Sequence, residues 1–98
     1  MSLQRPARIA RKRLDAIALE LHLRARAANT RDLEIRIQGA REQSSEISTE
    51  SLDALGRRLA AGEIAAIQIR FREAEAWWIE TLVRANDGFR LVRMREGD

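Results

Sequence analysis

The sequence predicts an α+β domain: a basic N-terminal helix followed by a β-α-β-β-β module, folded as a four-stranded mixed sheet with an antiparallel C-terminal meander. Three patterns carry this expectation. Apolar residues recur at three-and-four spacing from Ala10 to Ala28, the rhythm of a packed helix face. Leu33, Ile35 and Ile37, and again Ile67, Ile69 and Phe71, alternate with polar residues, as strands with one buried face do. Asn86, Asp87 and Gly88 lie between apolar runs as a hairpin turn does. With 98 residues, 45% hydrophobic and 34% charged, the chain suits a single domain with one core, made of a helical segment (residues 1–31) and the sheet module (residues 32–98).

Taken in order, Pro6 suits the first turn of a helix, where its missing N–H would be unpaired anyway. The helix is expected over residues 6–28. Ala10, Leu14, Ile17, Leu21, Ala25 and Ala28 form its main stripe. Ile9, Ala16, Leu19, Leu23 and Ala27 form a second, so the helix has two apolar sides. Residues 33–37 make the first strand, closed by Gly39, and residues 40–46 read as a surface loop. Ser48 is the expected N-cap of the second helix, with Ile47 and Leu52 at staple spacing. Leu52, Leu55 and Leu59 are its buried stripe and Gly62 its terminating residue.

Strands follow at residues 64–72, 76–84 and 89–95. A three-residue loop at Glu73, Ala74 and Glu75 would pair Phe71 with Trp77, Ile69 with Ile79 and Ile67 with Thr81, gathering odd-numbered apolar residues on one face. A two-residue loop that sets Glu80 against Ile67 is disfavoured, because it places a carboxylate on the apolar face. The last hairpin admits either a three-residue loop with Gly88 left-handed or a two-residue Asp-Gly turn.

Charge is unevenly spread. Residues 1–31 hold eight bases and two acids, a net of +6, whereas residues 32–98 hold ten bases and thirteen acids, a net of −3. Arg5, Arg8, Arg11, Lys12 and Arg13 thus form a candidate anion or nucleic-acid-binding segment. These bases are distributed around the expected helix without forming a single stripe, and no RNP-type aromatic array or GXXG clamp accompanies them. An Arg- and Ala-rich composition is also what a GC-rich coding genome produces. Cys is absent, which excludes disulfides, zinc-cysteine sites and thiol chemistry. The apolar run of the first helix is broken by Glu20 and His22, which suits a cytoplasmic protein with no membrane span and no secretory leader.

Two adjacent tryptophans are the most informative pair, because neighbours on a strand point to opposite sides of a sheet. In the expected register Trp77 joins the core. Trp78 is then left on the other face beside Arg70 and Leu82, and Arg70 can stack on its indole. Trp78, Arg70 and Leu82, together with Leu19 and Leu23 of the second helical stripe, are the candidate partner-binding residues.

No catalytic or metal-ligating set is expected. The chain has one His, one Lys and no Tyr, and it lacks G-x-S-x-G, P-loop, dinucleotide-binding and EF-hand spacings. His22 reads as solvent-facing, the Glu73 and Glu75 pair as charges flanking a turn, and Glu80 as a cross-strand partner of Arg93 or Arg95. No cofactor is implied. These patterns predict a small non-enzymatic interaction or accessory protein, a homodimer associating through the Trp78 sheet face or the second helical stripe, with a protein partner also admitted. The alternative is a nucleic-acid-binding module led by the basic helix. A third reading is an anionic-metabolite site lined by Arg70, Arg72 and Arg93.

Overall fold

The computed structural model describes residues 9–30, 32–39 and 45–96, and within them the chain begins with a strand. β1 (Ile9–Leu14) leads into α1 (Ala16–Asn29), then β2 (Glu34–Gly39), β3 (Ser45–Ile47), α2 (Leu52–Ala60), β4 (Ile64–Glu73), β5 (Ala76–Ala85) and β6 (Gly88–Glu96). The strands form one sheet in the order β1-β6-β5-β4-β2-β3. Every neighbouring pair is antiparallel.

This overturns the expected four-stranded mixed sheet. A crossover from β2 straight through α2 would have returned β4 parallel to β2. Instead β3 folds back along β2, so α2 starts from the opposite end and β4 comes back antiparallel to β2. Residues 40–44 of the expected loop lie outside the described residues.

The expected N-terminal helix is also corrected. Asp15 ends β1 and caps α1: its backbone is extended, and its carboxylate accepts from the Ala18 N–H at 2.7 Å, satisfying a donor that a helix start leaves free. The residues before it zip onto β6, pairing Ile9 with Met94 through to Leu14 with Phe89. Alternation then turns Arg11 and Arg13 away from the helices and Leu14 inward. Pro6 lies outside the described residues. The apolar stripes of the helix exchange roles as well, since Ile17 and Leu21 are 69% and 58% exposed whereas Leu19 and Leu23 are buried.

Elsewhere the sequence pattern matches the elements. Leu52, Leu55 and Leu59 are the buried stripe of α2, and Gly62 follows its end with φ +78°. The N-cap is Ser51, accepting from the Ala54 N–H at 3.1 Å, in place of Ser48, which accepts from the Glu50 N–H in the preceding turn. The core lies between the helices and one sheet face: Leu19 and Leu23 from α1, the three leucines of α2, and Ile37, Ile67, Ile69, Phe71, Leu82, Phe89 and Leu91 from the strands. Two glycines permit close approaches. A Cβ on Gly56 would lie 2.7 Å from Leu23 Cδ1, where α2 crosses α1, and one on Gly88, at φ +146°, would lie 2.6 Å from the Leu14 carbonyl oxygen.

The β4–β5 register differs by one residue from the expected one. The turn holds two residues, Ala74 and Glu75, both left-handed at φ 51° and 64°, as the favoured two-residue hairpin requires. Glu73 therefore pairs with Ala76, Phe71 with Trp78, Ile69 with Glu80 and Ile67 with Leu82. The last hairpin also has a two-residue turn, Asn86-Asp87, with Ala85 paired to Gly88. Neither expected form of that turn is present.

Candidate docking face and the buried Glu80 cluster

The register sorts the tryptophans oppositely to the sequence reading. Trp78 shares the helix-covered face with Phe71 and packs partly buried against the core. Trp77 lies on the opposite face, which no described element covers. Arg70 follows Trp77 onto that face, its guanidinium 4.1 Å from the indole centroid, while Arg93 stacks on Trp78 at 4.3 Å. The surplus tryptophan is thus Trp77. Leu19, Leu23 and Leu82, expected on a partner surface, are 3%, 1% and 0% exposed and belong to the core of the single chain.

The strand pairings arrange the uncovered face in rows that cross the sheet. One row runs Glu96, Trp77, Arg72; the next runs Ile9, Met94, Ile79, Arg70, Glu34. The third runs Arg11, Val92, Thr81, Gln68, Arg36, Ile47, and the fourth Arg13, Arg90, Val83, Ala66, Gln38. Apolar side chains cluster on β5 and β6, with Ile9 beside them on β1, whereas β4 presents Arg72, Arg70 and Gln68 and the β1–β6 corner carries Arg11, Arg13 and Arg90. Some of these charges are matched within the chain: Arg70 Nε donates to Glu96 at 2.6 Å, Arg36 Nε to Glu34 at 3.1 Å, and Arg13 to Asp87 at 2.9 Å. Arg11, Arg72 and Arg90 form no ion pair among the described residues. Of the expected basic segment, Arg5 and Arg8 lie outside the described residues. Lys12, opposite Leu91, points to the helix side of the sheet, so Arg11 and Arg13 alone share the bare face. Arg70 and Arg72 also lie there, but Arg93 does not, so the three arginines expected to line a metabolite site do not converge.

On the covered face the sequence reading missed a polar cluster. Glu80 is 1% exposed, set between Ile69 and Arg93 on the neighbouring strands. Its partners come from α1 and not from Arg93 or Arg95. His22 Nε2 lies 2.9 Å from Oε1, and Arg26 binds both oxygens, Nε to Oε1 at 2.9 Å and Nη2 to Oε2 at 2.8 Å. The Arg26 guanidinium also lies 3.9 Å from the Phe71 centroid. Burial by itself would push the Glu80 carboxyl up; hydrogen bonds from His22 and Arg26, with their charges, outweigh it and hold the group below the ordinary glutamate range. A carboxylate whose two oxygens are both taken and shielded from water is a structural clip tying α1 to β5. Arg93 takes a different acid, Glu73, at 2.6 Å.

The signal for this cluster is present in the sequence. His22 and Arg26 are four apart and continue the face of Leu19 and Leu23, so a mid-strand glutamate facing the helix has two donors waiting on it. Among the described residues no group of three or more His, Asp or Glu could hold a metal, and no helix is long and apolar enough to cross a membrane. Comparison with protein-family models, with curated proteins and with solved structures finds no match to this chain. Function is therefore argued from the two sheet faces.

Proposed function

We propose that this protein is a small non-enzymatic association module that works as a homodimer, with the bare sheet face as its interface. The observation that supports the reading is the composition of that face. An antiparallel sheet can leave one side in water when the side is polar, but here Trp77, Ile79, Val83, Val92 and Met94 form an apolar patch over the neighbouring strands β5 and β6. Contiguous apolar surface rimmed by charge is the usual make-up of a protein–protein contact. The positions of the four rows, at about 4.8 Å between strands and about 6.7 Å along them, give a footprint on the order of 600 Å² per copy, the low end of what one partner of a standard stable interface buries. The interface proposed from the sequence moves with the register, from Trp78 to Trp77.

Sedimentation equilibrium checks the reading. The wild-type chain is expected to be dimeric at micromolar concentration, and Ile79→Glu to be monomeric with an unchanged circular dichroism spectrum. A chain that stays monomeric up to roughly millimolar concentration, where only contacts weaker than about −4 kcal/mol remain hidden, would sink it.

A second reading is favoured by one observation: Arg11, Arg13 and Arg90 meet at the β1–β6 corner around Val92. Such a corner suits phosphate contacts of a nucleic acid. Its mark is binding of duplex or single-stranded oligonucleotides whose affinity falls steeply with salt; no binding at low ionic strength removes it.

A further inference from the structure

Resting on the homodimer reading, we infer that two copies stack through their bare faces about a two-fold axis that lies between them, perpendicular to the strands and midway between the Ile79 and Thr81 rows. This commits the face to a second copy in one orientation, with Glu96 of each copy meeting Arg90 of the other and Glu34 meeting Arg36.

A two-fold axis across the strands lays each strand over its own counterpart and exchanges the rows end for end. On β5 that sets Ile79 against Thr81 and Trp77 against Val83; on β6 it sets Met94 against Val92 and Glu96 against Arg90. On β2 it sets Glu34 against Arg36. On β5 and β6 apolar side chains meet apolar ones or Thr81, and both acids of the face meet bases; the charge-on-apolar contacts, Arg11 with Ile9 and Arg72 with Ala66, fall on the edge strand and at the end of β4, where the arginines reach water.

The other in-plane axis, along the strands and through the centre of the sheet, fails the same comparison. It exchanges β5 with β4 and β6 with β2. Arg70 is then laid on Ile79, Arg36 on Val92 and Glu34 on Met94, setting charges against apolar groups with no opposite charge from the second copy facing them, which is costly. Sheets stacked face to face sit about 10 Å apart and rotate by about 30°. The rotation displaces Glu34 and Arg36 by about 4 Å and Glu96 and Arg90, which also lie farther along their strand, by about 6 Å, still within the reach of an arginine side chain.

The test is a charge swap read by sedimentation velocity over about 1 to 500 μM, a range that spans the affinities of ordinary interfaces. Arg90→Glu places two acids opposite each other twice per dimer and is expected to weaken the dimer about a hundredfold, as is Glu96→Arg through opposed bases; because Glu96→Arg also gives up the Arg70 pair of the single chain, Arg70→Gln is the control for that loss and is expected to leave the dimer within about tenfold. The double variant, Arg90→Glu with Glu96→Arg, restores the pairing and is expected to return to within about tenfold of wild type. Arg72→Glu changes charge equally but faces Ala66 across the axis, and is expected to leave the dimer within about threefold. Among the described residues neither Arg90 nor Arg72 has an ion pair, so both reversals are expected to leave the fold intact, which thermal melts check. A wild-type dimer that tolerates Arg90→Glu, or that the double variant does not restore, overturns the axis while leaving the homodimer standing. A wild-type chain that never dimerises overturns both.

Discussion

Ile79 and Glu80 are neighbours on one strand, yet they live under opposite rules. Glu80 is sealed beneath α1 with both oxygens bonded; Ile79 lies half-buried on the side that no described element covers. On the covered side the chain has buried a charge and supplied its partners. On the bare side it has left apolar groups half-buried, with no described element over them. The contrast teaches that polarity alone does not assign a sheet face: the carboxylate belongs inside and the isoleucine outside because of what packs against each. The covered face serves the monomer, and the bare face is the one we propose for association.

The largest effects should break this contrast from the Glu80 side. Glu80→Ala leaves the part-buried Arg26 and His22 without an acceptor, and removing one partner of a buried pair costs up to about 3–5 kcal/mol, a large share of the stability of a domain this size. Ile79→Ala, one residue away, is expected to cost less than about 1 kcal/mol in the monomer, because it removes no buried contact from the core. Chemical denaturation at a concentration that keeps the chain monomeric measures both. Equal losses at the two positions would mean that the strand register is shifted.

Acid titrates the same clip more gently. Glu80 carries a folded-state value below the ordinary one, so the ionised form is bound more tightly in the fold than in the unfolded chain. Its contribution is complete above the ordinary glutamate range, roughly pH 4–4.5, and is lost as pH falls from there through the depressed folded value. Thermal melts of wild type are therefore expected to drop over that acid window, and the drop should shrink in a Glu80→Gln variant. An identical acid profile in both would assign the loss to other carboxylates.

How far the sequence reads depends on whether local rules or a distant partner decide each feature. The β4, β5 and β6 segments, the leucine stripe of α2 and the Gly62 terminus follow from alternation, helical spacing and a left-handed glycine, and each stands where the sequence pattern puts it. The N-terminal segment does not, because Ala10 and Leu14 fit a helical stripe as well as a strand; pairing with β6, at the far end of the chain, settles the matter. β3 is too short, at three residues, to show a period. Without it the crossover reads as parallel, since one strand more or fewer before α2 reverses the direction of β4. That the two tryptophans lie on opposite faces is legible, but the sequence puts the wrong one on the uncovered side. That error has a single cause: alternation holds a mid-strand glutamate to the solvent side when its partners, His22 and Arg26, lie on another element.

The smallest effect tests the turn that sets both faces. Ala74 and Glu75 are each left-handed, a conformation that costs a residue with a Cβ about 1 kcal/mol or more relative to glycine or asparagine. Ala74→Asn with Glu75→Gly supplies the residues that a two-residue turn prefers. It is expected to raise stability by about 1 kcal/mol, or about 4–8 °C in Tm for a chain of this length. A three-residue loop starting at Glu73 would not need two adjacent left-handed residues there, and a glycine in it would loosen the unfolded chain for no return. A rise in Tm therefore supports the register that buries Glu80 and bares Trp77. A fall would return the two tryptophans to the opposite faces and take the proposed interface with them.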